Sequence, residues 1–306
     1  MSDETTNASP TTPLYKYVPM DGLRRLLDGS VRFTQPSAFN DPFELLPEIV
    51  MPINEPRRDL PLQFDIGAPR RVPPVGDTDD IPDGYSSGDP TSRNIVHDLN
   101  KVIGIFCLSR VSDSLLMWSH YAGQYSGAVV EFDAAHAFFA NPIEVEYRAT
   151  RPRKRLDYYH TDAPIPLAEL CVKSSQWAYE EEVRVARRLV DCEQVGEDDR
   201  GFPVFVQKLP IEAIKTITLG ERSSAPVMDE IYERIKDTSI GLALAAIDMA
   251  GFGFRREIIK YPVPHSKMGP WMSARTARMF LGTNRDAWAR AIIDAHPLSE
   301  IVNKAV

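Results

Sequence analysis

The sequence is poor in the residues that announce a chemistry. Three cysteines, Cys107, Cys171 and Cys192, occur in 306 residues. They are too scattered for a disulfide framework or a CxxC metal site, so reduced thiols are expected. The six histidines are dispersed, with no HExxH and no pair at i and i+4 beside a carboxylate, so no metal site is expected. A GxxxxGK[ST] phosphate loop is missing, and Gly251-Phe252-Gly253-Phe254 is not a GxGxxG. No apolar run approaches the ~18 residues of a membrane span, and residues 1–12 lack the apolar stretch of a signal peptide. A cytoplasmic protein with no membrane partner is expected. Basic charge is also short: 35 Lys and Arg against 43 Asp and Glu leave a net charge of −8. A broad basic face for nucleic acid is not favoured.

What is present is an ordinary globular composition, 43% hydrophobic and 25% charged, enough for a sizeable core. Residues 1–12 are polar and read as a disordered tail. Leu14-Tyr15-Lys16-Tyr17-Val18 reads as an aromatic strand, followed by a short helix from Gly22 to Asp28 that Gly29 stops. Residues 31–34, 102–109, 128–132, 143–147, 202–209 and 211–219 read as further strands. Residues 51–95 change to Pro, Asp, Gly and Arg and read as a long irregular insertion, with helix returning at about Pro90. Pro164 to Val172 reads as helix-like, and residues 226–250 as the clearest helix, with Val227, Ile231, Ile235, Leu242, Leu244 and Ile247 on its periodic positions. The predicted class is α+β: a single domain over 13–265, with a mixed or antiparallel central sheet flanked by helices. A helical extension over 266–306 packs on it.

Three stretches carry side chains suited to a site. In Phe39-Asn40-Asp41-Pro42-Phe43-Glu44 the Asn-Asp-Pro is turn chemistry. The flanking Phe39 and Phe43 are expected to anchor the turn on the core. Asn40, Asp41 and Glu44 are then held on a rigid loop, as turn builders or as ligand-binding oxygens. In Trp118-Ser119-His120-Tyr121, a helix capped by Ser112-Asp113-Ser114 places Trp118 and Tyr121 on one face and His120 on another. Trp118 reads as a packing anchor. His120 and Tyr121 read either as a partly buried pair or as acid, base or ligand holder. In Glu180-Glu181-Glu182-Val183-Arg184, read as a strand, Glu180, Glu182 and Arg184 share one face and Val183 and Val185 the other. The two carboxylates would then stand about 6.5 Å apart. That suits acid–base work, or a plain charged ladder neutralised by Arg184. The basic run from Arg148 to Lys154 reads as a solvated turn.

Taken together, these motifs resemble the bacterial domain-of-unknown-function 2971 family over roughly residues 14–220. The resemblance rests on Tyr15-Lys16-Tyr17, Arg32-Phe33, the Phe-Asn-Asp-Pro-Phe-Glu element, Met117-Trp118-Ser119-His120-Tyr121 with Gly127 and Phe132, and Lys173 with Trp177 to Arg184. It implies a residue set more than a reaction. The layout is also similar, more loosely, to ADP-ribosyltransferase-type folds. That similarity implies NAD as substrate and cleavage of its nicotinamide glycosidic bond, by ADP-ribosyl transfer or hydrolysis, as in a defence or toxin effector. Glu182 would stabilise the oxocarbenium-like ribose. Tyr121 would stack on nicotinamide, and His120 and Arg184 would orient ribose or phosphate. Tyr17, Arg32, Asn40, Asp41, Glu44, Trp118, Lys173 and Glu180 would complete the binding set. The first strand carries Lys16 and Tyr17 where those folds carry His or Arg. Two other classes stand beside this one. One is a non-enzymatic ligand-sensing module of a defence or stress system. The other is a Mg²⁺-dependent nuclease using Asp41, Glu44, Glu180 and Glu182.

Overall fold

The computed structural model describes residues 12–53, 63–71, 78, 80–155, 164–264 and 274–294. The tail expected over 1–12 lies almost entirely outside them, as do Trp271 and residues 295–306 of the C-terminal extension. The class is α+β, as the sequence predicts. The chain divides into two compact units interleaved along the sequence. No helix of the described residues is long and apolar enough to cross a membrane.

The first unit draws on residues 12–29, 111–138 and 209–294. Its strands lie in the order Phe254–Lys260, Gly241–Ile247, Ile214–Leu219, Ala128–Phe132 and Leu14–Val18. Ile214–Leu219 and Gly241–Ile247 run parallel, and the other pairs are antiparallel. The helix Ala225–Ile235 connects the parallel pair, as a parallel crossover requires.

Here the sequence reading of one helix over 226–250 is corrected. The helix ends at Ile235, and Gly241-Leu-Ala-Leu-Ala-Ala-Ile is a strand buried through Ala246. A short, uninterrupted apolar run fits a buried strand as well as a buried helix, and flanking neighbours decide. Close backbone packing fixes the turn after Ala122. A Cβ on Gly127 would stand 2.2 Å from the carbonyl oxygen of Val18, and one on Gly220 2.0 Å from that of Tyr125.

The second unit draws on 30–110 and 139–208. Glu182–Arg188 is its central strand, antiparallel to Ile103–Ser109 on one side and to Ile143–Glu144 on the other. Around it pack short sheets: Arg153–Arg155 beside Glu48–Pro52 and Tyr85–Ser87, Val172–Ser174 beside Glu146–Arg148, and Ser30–Phe33 beside Pro203–Lys208 and Glu193–Glu197. Leu45, Ile49, Leu99, Ile105, Leu167 and Cys171 are among its core side chains.

Two expectations change in this unit. The described part of 51–95 is not wholly irregular: it ends the strand Glu48–Pro52 and holds Phe64–Asp65 and Tyr85–Ser87, while the helix Asp89–Val102 starts close to the expected Pro90. These strands are too short to leave a periodic pattern. Pro164 to Val172 is not helical beyond the single turn Leu167–Glu169, and Ile165–Pro166 before it pairs as a strand. Proline at 164 and 166 withholds amide donors from any helix there.

Candidate functional site

The strand Glu182–Arg188 is paired along both edges, and from Glu182 to Ala186 both its faces are buried as well. Val183 and Val185 are sealed, and so are Glu182 and Arg184 on the opposite face. Glu182 and Arg184 thus share the face opposite Val183 and Val185, as expected, and the expectation is corrected at Glu180. Glu180 does not belong to the strand. It closes the 3-10 turn Ser175–Glu180, and Glu181 follows in the left-handed region at φ 39°. That residue reverses the side-chain alternation. The Ser109 hydroxyl donates to the Glu180 carbonyl at 2.6 Å and holds the turn.

The result is a buried ion network. Lys173, on the strand Val172–Ser174, donates from Nζ to Glu180 Oε2 at 2.6 Å and to Glu182 Oε2 at 3.0 Å. Arg184 donates from Nε to Glu182 Oε1 at 2.9 Å and from Nη2 to Oε2 at 3.1 Å. Its Nη1 lies 2.6 Å from Glu44 Oε1, but the two atoms are not aligned as a hydrogen bond. Glu44 reaches this position from the Asn-Asp-Pro turn, where Asp41 Oδ1 accepts from the Phe43 amide at 2.9 Å. The Tyr147 hydroxyl accepts from the Glu182 amide at 2.8 Å. Three carboxylates thus share two cations, all of them buried.

Electrostatics pushes two of the carboxylates apart. Burial raises the pKa of Glu44, and the neighbouring Glu182 adds to this. Arg184 offsets only part of it, so Glu44 stands above the ordinary carboxylate range. Burial also pushes Glu182 upward. There Arg184 and Lys173 outweigh it and hold the group at about 2. Burial acts to lower the Lys173 pKa, but Glu182, Glu44 and Glu180 overcome it and raise it. Burial lifts the Cys171 thiol to about 11, so this cysteine is an inert packing group.

The network touches two cavities of the second unit. Glu44 lines one of about 400 Å³, with Asn40, Asp41, Arg93, His97 and Asn100. Lys173 lines another of about 220 Å³, with Phe43, Arg148, Thr150, Arg151 and Ser174. The run from Arg148 to Lys154 is therefore not simply a solvated turn: Arg148 and Arg151 form a cavity wall, and Lys154 is buried. Arg151 donates to the carbonyl oxygens of Leu46 and Pro47, each at 3.0 Å. These neutral acceptors fix the guanidinium without cancelling its charge. Phe39 is partly buried against the core as expected. Phe43 is not: it is 53% exposed, because the turn points it outward over Arg151 at 5.8 Å.

No family model, curated protein or solved structure matches this chain.

The predicted site residues fall into separate groups. Glu44, Lys173, Glu180, Glu182 and Arg184 come together in the network, and Asn40 and Asp41 line the cavity that Glu44 also lines. Arg32 is apart from them, paired with Asp198 at 2.8 Å. Tyr17, Trp118, His120 and Tyr121 belong to the first unit. Trp118 is the packing anchor, buried against Tyr17 at 5.7 Å and Phe254 at 6.0 Å between ring centroids. Tyr17 is buried too, and its hydroxyl accepts from the Ser114 amide at 3.2 Å. His120 is exposed, half-buried Tyr121 stands 6.2 Å from it, and neither lines a cavity named here. Sequence reasoning missed Tyr147, Arg148 and Arg151. Tyr147 carried no signal, and the two arginines were visible only as charge.

Proposed function

We propose that this chain is a ligand-responsive binding module of the cytoplasm. Its second unit takes a small phosphate-bearing molecule of the nucleotide kind in the cavity walled by Arg148, Arg151 and Lys173. The observation that carries the reading is Lys173. Its ammonium has three N–H donors, Glu180 and Glu182 take two of them, and the side chain lines the cavity. The Arg151 guanidinium, which donates to backbone carbonyls, and the hydroxyls of Thr150 and Ser174 complete an anion-binding set, while Arg148 lines the same wall paired with Glu146; charge-assisted contacts of this sort are the strong ones. Exposed Phe43 at the rim offers a face for a base. The commitment of Glu182 to both cations supports binding over catalysis, because a carboxylate so held is not available to a ribose.

A second reading keeps the cleavage of NAD. It is favoured by the opposite displacement of Glu44 and Glu182, the pattern that separates an acid from a base. Incubation of the purified protein with NAD distinguishes the two. The binding reading expects a raised melting temperature with NAD or ADP-ribose and no release of nicotinamide. Steady release, abolished in Glu44→Gln, would replace it with the enzyme. The nuclease reading gains no support: among the described residues no three His, Cys, Asp or Glu side chains are placed to hold a metal ion.

A further inference from the structure

The first unit contains a cavity of its own that the proposed ligand does not use. It has a volume of about 190 Å³. Its floor is one face of the sheet, crossed by Tyr15, Glu131, Thr218, Ala245 and Arg256 from five adjacent strands. Register makes this a single face. Tyr15 stands opposite Glu131, Val129 opposite Thr218, and Ala245 opposite Arg256. Trp118 and Phe254 supply an aromatic wall, and Ser112 and Asp113 close the edge.

The charges in this cavity are only loosely paired. Glu131 and Arg256 are 3.7 Å apart, too far for a hydrogen bond, with side chains 21% and 47% exposed. Among the described residues, Glu131, Asp113 and Arg256 make no side-chain hydrogen bond. Two carboxylates and one guanidinium therefore face a small space with an apolar side. A phosphate would meet a net negative site. A simple amine would meet Arg256. An uncharged apolar molecule would strip water from Glu131 and leave it only the long contact to Arg256, which is costly. A zwitterion satisfies all three groups at once, with its ammonium toward Glu131 and Asp113 and its carboxylate toward Arg256. The volume falls below that of drug-sized pockets, roughly 300 Å³ and up, which limits the guest to a small molecule. The geometry points to a free α-amino acid with an apolar side chain, seated against Trp118 and Phe254, as the ligand of the first unit.

Ligand-observed NMR of the full chain with L-leucine, L-methionine and L-phenylalanine at millimolar concentration tests this. At least one should bind. Its decarboxylated amine and its deaminated acid should each bind about tenfold or more weakly, the loss expected for one charged hydrogen-bonding contact. Glu131→Gln and Arg256→Gln should each weaken it to the same degree while leaving the melting curve cooperative, since both side chains are partly exposed. Arg151→Gln, in the other unit, should leave it unchanged. The proposal is overturned if none of the three binds to the wild-type protein, if the amine or the acid binds as well as the amino acid, or if both variants bind normally.

Discussion

Replacing Glu182 and Glu44 in turn by Gln should give opposite results, although both carboxylates are buried and both face Arg184. Each change leaves two carboxylates with two cations, so net charge in the network does not distinguish them. Contacts do. Glu182 alone bridges Arg184 and Lys173, whereas Glu44 has a single unaligned ion pair. Holding Glu182 at about 2 rather than the ordinary 4.5 is worth about 3 kcal/mol at about 1.36 kcal/mol per tenfold. Gln imitates the protonated group, so Glu182→Gln should lose about 3 kcal/mol at pH 7. The same difference fixes the pH dependence. A depressed folded pKa gives stability that is present above about 4.5 and is lost as pH falls toward about 2. The variant should not show that part of the acid loss. Glu44 has the reverse sign. Its raised pKa means that its ionised form destabilises the fold above the folded pKa, and that acid relieves this. Glu44→Gln should therefore be as stable as the wild-type protein at pH 7, or more so. Urea unfolding at pH 7 and pH 4 measures both. A loss under about 1 kcal/mol in Glu182→Gln, or an equal loss in the two variants, would show that Glu182 is not the carboxylate that holds the network together.

Trp118→Ala should cost about 3–5 kcal/mol, because the indole is buried between Tyr17 and Phe254; a melting temperature close to that of wild type would contradict this. Gly220→Ala should lower thermal stability by about 1–3 kcal/mol, since a Cβ would meet the Tyr125 carbonyl oxygen at 2.0 Å and Trp118 at 3.1 Å. Unchanged unfolding in that variant would mean that the turn gives way more easily than its packing indicates.

The strands of alternating or aromatic character were legible in the sequence: Leu14–Val18, Ile103–Ser109 and Ala128–Phe132 lie where period and composition put them. Gly241–Ile247 was not. A continuous apolar run has no period of its own, and the parallel partner that makes it a strand lies across a helix. Trp118 was readable as an anchor because its spacing put it on an apolar face. Of the charged residues of the network, Glu180, Glu182 and Arg184 were readable as a set because they lie within five positions, whereas Lys173 and Glu44 are distant in sequence. Their burial was not readable. It depends on Glu44 and Lys173 arriving from distant segments to cover Arg184 and Glu182, and on the left-handed Glu181, after which Glu180 meets Lys173. Arg148 and Arg151 looked like a solvated run because local charge does not reveal that the Leu46 and Pro47 carbonyls will fix one of them in a wall.

Phosphate recognition in the cavity walled by Arg148, Arg151 and Lys173 can be measured in solution. Isothermal titration of AMP and of adenosine into the wild-type protein and into Arg151→Gln tests it most directly. AMP should bind, adenosine should bind at least about tenfold more weakly, and Arg151→Gln should remove most of the difference, as loss of one charge-assisted contact would. Equal binding of AMP and adenosine, or an Arg151→Gln variant that still favours AMP as strongly as the wild type, would contradict it.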